Sequence, residues 1–427
     1  MIIEKQQNLS SNKIYWGKII ADLLIFLIFP PIVGLPFIII KTILLNKNAR
    51  YSDYISFMIC LAFYFGAINA TKEPGGDQIQ YYVAYMNVPH VGFIQSLIYI
   101  YGLDLGKETN GISGEFMNGV YNYIGYYITF GRYQLFAALV TFIEYMLIFL
   151  GLYKFCLSLK NPRVPIICGV LILSFFYLFF QYTLQIQKQF FAQAIIMYVL
   201  GIYAYKGRMN KKMWIMTACA VFTHASMLLF VPFLIFKPLH TRLTKVGWII
   251  LGTAFVTLII LGPSLAGNIV DAEDTNALTY GISRFSQSET NNDTETNVLV
   301  LSQVIVIYIP LLLIVLRKLL LERNTLTDNN AFILNVMLLL LLTAICMYRQ
   351  PLAQYRYFMM IFAFMPFVYP FISNNIKVRN FILVSISIVM ICWFYLQFDK
   401  IVWNYAPELD IIIKSPVLLL FGNYYII

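Results

Sequence analysis

The chain has 427 residues, with 30 Lys and Arg against 20 Asp and Glu, a formal net charge of +10. Hydrophobic residues make up 60% and charged residues only 12%, against roughly 25% charged in a soluble domain. A water-soluble globular domain is excluded, and the scatter of Lys and Arg over short loops reads as membrane topology rather than nucleic-acid binding.

The apolar runs are long and continuous instead of alternating with period two, which favours helices over a barrel. The expectation is an all-α polytopic membrane protein with about 10–13 membrane helices, some kinked or re-entrant, in a single domain. Residues 1–18 are polar and basic, expected on the cytoplasmic side, and show no cleavable signal. Residues 19–40 are apolar but interrupted by Pro30-Pro31 and Pro36, so they are kinked or re-entrant. Their basic flanks on both sides conflict with a single crossing.

Residues 52–70 make a clear span. The stretch from Thr71 to Arg132 is polar and poor in Lys and Arg, and is expected outside. Its many Tyr suit anchoring at the membrane interface, the commoner reason, or stacking on sugar rings. Spans are then expected at 133–153, 164–181 and 190–205, with Gln185 to Gln189 at the outer face. Residues 213–236 lie between two basic clusters, Lys206 to Lys212 and Lys237 to Lys245. A hairpin of two short helices turning near Thr223-His224 keeps both clusters inside. Further spans are expected at about 246–264, 298–316, 331–348, 357–374 and 380–397, with outside loops at 265–297 and 349–356.

The six cysteines lie in or beside apolar spans without metal spacing, and His90, His224 and His240 are scattered. No Walker-type loop is present, so neither metal, nucleotide nor other cofactor is expected. On the outer face this topology collects Asp77, Glu115, Lys188, Arg284, Arg349 and Arg356, with His224 beneath. Arg and Lys suit phosphate oxygens, and a carboxylate or His suits proton removal from a hydroxyl. Plainer roles stand beside these. Asp77 after Pro74-Gly75-Gly76 suits a helix start, Glu115 a solvated loop, and His224 a structural hydrogen bond. Lys188, Arg349 and Arg356 could snorkel to headgroups. Glu144, mid-span, reads as a packing partner, and Arg284 as a loop cation.

The order of landmarks resembles the EpsG-like group of bacterial polysaccharide polymerases, related in role to the Wzy O-antigen polymerases. They are Gly76-Asp77-Gln78 with Tyr81-Tyr82, then Glu115-Phe116-Met117-Asn118, then Lys188-Gln189-Phe190-Phe191-Ala192, then Phe222-Thr223-His224-Ala225-Ser226. Lys188 stands where the family has Arg, and Thr223 separates Phe222 from His224. The resemblance covers about residues 55–240, and loosely 330–375 through Arg356-Tyr357-Phe358.

The resemblance implies a GT-C-like glycosyltransferase in the bacterial inner membrane with its active site facing the periplasm. It would move a growing glycan from undecaprenyl diphosphate onto a hydroxyl of another lipid-linked repeat unit, alongside membrane lipid and a chain-length regulator. Asp77, His224 and Glu115 would be the catalytic candidates. Lys188, Arg349, Arg356 and Arg284 would bind diphosphate; Tyr81, Tyr82, Gln185 and Gln189 would bind sugar. A flippase for the same lipid, a glycan ligase and a non-catalytic scaffold are the competing readings.

Overall fold

The computed structural model describes residues 14–44, 51–98, 115–244, 246–257, 298–347, 351–401 and 403–424. Among them the chain is helical throughout, with no strand. The N-terminal apolar stretch is two helices, α1 (Trp16–Ile28) and α2 (Pro31–Leu44). Phe29 between them is extended, at φ −81° and ψ 146°, the conformation a following proline favours. Pro31 then occupies the first helical position, where its missing N–H costs nothing.

The arms, 13 and 14 residues long, reach only about 20 Å, short of the ~30 Å hydrocarbon core. Lys41 of α2 pairs with Asp22 of α1, and Lys18 pairs with Asp53 at the start of α3 (Tyr51–Asn69). The two arms therefore fold back on each other. This resolves the basic flanks, because both lie at one end of the molecule.

Between residues 71 and 132 the described residues hold three short helices: α4 (Asp77–Met86), α5 (Val88–Ile98) and α6 (Met117–Ile128). Then come α7 (Tyr133–Cys156), α8 (Arg163–Ser174), the single turn α9 (Tyr177–Phe180) and α10 (Gln187–Lys206). Gly207, at φ +68°, closes α10 in the left-handed conformation that glycine adopts without strain. Asn210 caps α11 (Lys211–Thr223) by accepting from Met213 N at 2.9 Å. His224 is extended, and Ala225–Phe230 form a 3-10 turn before α12 (Val231–Ile235). The remaining helices are α13 (Val246–Thr257), α14 (Val298–Leu316), α15 (Asp328–Cys346), α16 (Pro351–Val368) and α17 (Ile376–Gln397). Two short ones, α18 (Glu408–Ile413) and α19 (Pro416–Phe421), end the chain.

Five of the described helices are long and apolar enough to cross a membrane: α3, α7, α14 with its following turn, α15 and α17 with its following turn. The other expected spans are interrupted or more polar. Residues 163–180 break at Phe175-Phe176, and α10 begins with Gln187, Lys188 and Gln189, while 213–236 turns at His224 as the expected hairpin does. Of the span expected at 246–264, only α13 lies within the described residues.

α7 is the central post. It packs against α3, α8 and α10, and small residues let backbones touch. A Cβ on Gly201 would sit 2.1 Å from Gly151 O, and one on Gly151 would sit 2.6 Å from Met197 O. A Cβ on Gly66 of α3 would meet Ala138 O at 2.8 Å. Such contacts between apolar helices rest on van der Waals packing, since lipid tails are as apolar as the side chains.

Contacts between helix ends define two poles. Lys154 at the end of α7 lies over the rings of Tyr51 and Tyr205, Tyr203 bonds to His240, and Arg379 bonds to Lys160 O and Asn161 O. Arg317 bonds to Phe371 O and Ile372 O at the same pole. The opposite pole joins the end of α3, the starts of α7, α10 and α16, and residues 403–406. Among the described residues, Lys154, Lys160, Arg317 and Arg379 lie at the first pole. Because Gly201 meets backbone rather than a yielding side chain, Gly201→Val should cost about 1–3 kcal/mol from overpacking. A lower thermal midpoint in detergent checks this, and Ser at the same position should cost less.

Candidate active site

The second pole is assembled around the turn that leads into α10. Three side chains fan out from it. Gln185 accepts from Lys72 Nζ at 3.1 Å, Lys188 Nζ lies 2.7 Å from Glu115 Oε2, and Gln189 Nε2 donates to Arg356 O at 3.0 Å. One turn of chain thus touches the loop after α3, the start of the α6 segment and the first turns of α16.

Lys188 is nearly inaccessible, its side chain 4% exposed, and Glu115 is 16% exposed. A buried ammonium needs a counter-charge, and Glu115 supplies it. The other oxygen, Glu115 Oε1, accepts from Ala225 N at 3.2 Å. Glu115 therefore also holds the break between α11 and the 3-10 turn. Burial pushes this carboxyl up, but Lys188, His224 and the hydrogen bonds from Lys188 and Ala225 outweigh it and hold it below the ordinary carboxylate value.

His224 Nδ1 accepts from Ser226 N at 3.3 Å and lies 2.7 Å from Ser226 Oγ. A nitrogen that accepts a backbone N–H carries no proton, so the proton of the neutral ring is on Nε2. In this tautomer Nε2 donates rather than accepts.

Asp77 opens α4 after Gly76, which sits at φ +52°. Its Oδ2 lies 3.4 Å from Arg356 NH2, and both side chains are open, at 51% and 38% exposed. Arg356 Nε is buried without a partner among the described residues. Tyr81 is buried, and Tyr82 stands edge-on to Tyr133 at 5.0 Å between centroids. Gln185 and Gln189 are buried and hold the neighbouring loops. Arg284 and Arg349 lie outside the described residues. The pole thus brings together Asp77, Glu115, Lys188, His224, Arg356 and the two Gln.

Two residues escaped the sequence reading. Lys72 is 2% exposed and lies 4.8 Å over the ring of Trp403. Burial lowers its pKa to about 7. Residues 403–406 form a strap across loop 71–76. Glu73 N donates to Asn404 O at 3.0 Å, Asn404 Nδ2 donates to Glu73 Oε2 at 2.7 Å, and Ala406 N donates to Thr71 Oγ1 at 3.1 Å. The signal available in the sequence was a Lys flanked by Thr71 and Glu73 just past an apolar span, which any surface loop could carry.

The EpsG family profile matches residues 54–406, from inside α3 to the end of the strap. The chain belongs to the EpsG family. Membership points to a membrane protein of polysaccharide polymerisation and to a glycosyltransferase-like activity. No curated protein and no solved structure matches the chain. The family match spans the whole pole: loop 71–77, Glu115, the α10 start, His224, Arg356 and the strap.

Removing one member of the Lys188–Glu115 pair leaves a buried charge without compensation. Lys188→Met should therefore cost about 3–5 kcal/mol, and adding Glu115→Gln should recover much of it. Thermal midpoints of the two single variants and the double variant test the coupling. The sign with pH is set by the depressed Glu115 carboxyl: its contribution is complete above the ordinary carboxylate pKa and fades as pH falls through the lower folded value. Stability of the wild type should fall more steeply than that of Glu115→Gln on the acid side.

Proposed function

We propose that this EpsG family protein polymerises lipid-linked repeat units, transferring a glycan from a polyprenyl diphosphate to a hydroxyl of a second lipid-linked unit. The observation that carries the reading is the gathering of Asp77, Arg356, Lys188, Glu115 and His224 at one pole of an EpsG-family helical bundle. The basic residues Lys154, Lys160, Arg317 and Arg379 lie at the opposite pole, which supports a cytoplasmic placing for that pole and an outer placing for the site. A GT-C-like architecture and the bacterial inner membrane fit the same reading.

The reaction breaks the bond between the anomeric carbon and a diphosphate oxygen and forms one to the acceptor oxygen. The acceptor proton goes to a base, and negative charge collects on the departing diphosphate. Asp77 is the base in this scheme. Its carboxylate is open and held by only one long ion pair, whereas Glu115 is committed to Lys188 and Ala225 N and kept weakly basic. His224, with its proton on Nε2, donates a hydrogen bond instead. Arg356 faces the diphosphate, since its guanidinium is exposed and already oriented by Asp77; such forks match phosphate oxygens. Arg349, seven residues before Arg356 in sequence, and Arg284 are assigned to the same diphosphate-binding group. Lys188 braces Glu115 and His224, and supplies positive potential beneath the diphosphate. Tyr82 is the aromatic face offered to sugar, with Tyr81 supporting it. A chain-length regulator is the expected protein partner.

Purified protein given a polyprenyl diphosphate-linked repeat unit, without nucleotide, should yield a ladder spaced by one repeat unit. Asp77→Asn should slow chain growth by about 10²–10⁴-fold, the usual worth of a positioned base, at unchanged membrane abundance. Arg356→Ala should raise the donor KM more than it lowers kcat. Movement of the substrate lipid between leaflets with no ladder would replace the polymerase with a flippase.

A further inference from the structure

The cations that the sequence assigned to phosphate binding within the described residues already have acids. Lys188 has Glu115 at 2.7 Å, and Arg356 has Asp77 at 3.4 Å. Lys72 differs. It is among the most deeply buried cations of the molecule, and no carboxylate lies within ion-pairing distance of its Nζ among the described residues. Its neighbours are the neutral Gln185 amide and the Trp403 ring. The adjacent acid, Glu73, turns to Asn404 instead. A buried ammonium without a counter-ion costs stability and invites discharge, in line with a pKa brought down to about 7.

The surroundings are constructed rather than loose. Gly75 and Gly76 press against Trp403 so closely that a Cβ on either would come within 3.1 Å of its ring, and one on Gly76 would also meet Gln185 Nε2 at 2.3 Å. Trp403 Nε1 is a second buried donor with no partner among the described residues. Two buried donors, one a cation without an acid, stand at the Trp403 side of loop 72–77. The Asp77–Arg356 pair stands at the loop's other end.

We propose that Lys72 and Trp403 form a second oxyanion seat, for a phosphate or diphosphate group, separate from the Arg356 end of the loop. The inference rests on the polymerase reading for its biological sense, since joining two lipid-linked units brings two diphosphates to one pole. With one seat at each end of loop 72–77, donor and acceptor diphosphates are held by different cations. An arriving oxyanion supplies the counter-charge that Lys72 lacks and takes the indole N–H as a further donor.

The test is binding, not turnover, so it stands or falls independently of polymerase activity. Inorganic diphosphate is titrated into the full-length protein in nanodiscs by calorimetry. Lys72→Met should weaken binding by about tenfold or more, the worth of a charge-assisted hydrogen bond, while leaving the thermal midpoint equal or higher, because an uncompensated buried charge is removed. Lys72→Arg should retain binding, and Trp403→Phe should weaken it less than Lys72→Met. Unchanged affinity in Lys72→Met would overturn the seat, as would a fall in its thermal midpoint that accounts for the loss. A polyprenyl diphosphate added to the nanodiscs identifies the source. Competition with inorganic diphosphate assigns the seat to a lipid-linked substrate, and simultaneous binding assigns it to the free ion; both outcomes keep Lys72 as its cation.

Discussion

The Lys188–Glu115 pair is the interaction on which the rest of the site depends. An ammonium buried at the start of an apolar helix is strongly destabilising without a negative partner. The partner is Glu115, just before α6. The same carboxylate then accepts from Ala225 N, so the break that exposes His224 is held by the group that neutralises Lys188. One carboxylate with two oxygens fixes the relative positions of the outer helices, the α10 start and the α11–α12 turn. In the proposed reaction, its commitment to those tasks makes it the poorer base and leaves that role to the open carboxylate of Asp77.

Gln185 and Gln189, on either side of Lys188 in sequence, extend this arrangement. Gln185 meets Lys72 and Gln189 meets the Arg356 carbonyl, so the ends of loop 72–77 are both referred to one turn of chain. The strap from residues 403–406 closes the loop from outside, and Tyr405 OH reaches Asn69 Oδ1 beneath it at 3.4 Å. Asn69 in turn donates to Thr141 and Thr183. Polar side chains here satisfy one another across four segments, as buried polar groups must. Among the charged groups described at this pole, Asp77 and Arg356 are open while Glu115 and Lys188 are largely covered.

Much of this was legible in the sequence because membrane helices carry a strong signal. Long apolar runs gave the helical class and the positions of the five longest apolar helices, fewer than the roughly 10–13 expected, and Pro30-Pro31 gave the first break. Asp77, Glu115, Lys188, His224 and Arg356 could be gathered from topology alone, since ionisable groups near helix ends are few. Their pairings could not, because Glu115 could have met any cation at that pole. Lys72 was illegible for a different reason. Its burial is made by Trp403, far along the chain, and a lysine in Thr71-Lys72-Glu73 otherwise reads as solvated loop. The break at Phe175-Phe176 carries no proline, and no local residue type announces it.

The half-length hairpins explain how the charges sort. Lys206 to Lys212 surround the start of α11, and Lys237 to Arg242 follow α12. A straight crossing between them would carry the second cluster to the site pole. The structure instead brings His224 level with the Lys188 end of α10 and returns the chain to Tyr203, near the other end, where it meets His240. Each arm climbs only about 20 Å, enough to lift a histidine and two backbone N–H groups to the site without passing it. The N-terminal hairpin follows the same rule, with Lys18 and Lys41 held at one pole by Asp53 and Asp22. Turning back inside the apolar layer is tolerable only where other helices or side chains satisfy the broken backbone. At His224 that task falls to the imidazole, which accepts from Ser226 N, and to Glu115, which accepts from Ala225 N, so two residues of the proposed site also satisfy the backbone of the turn.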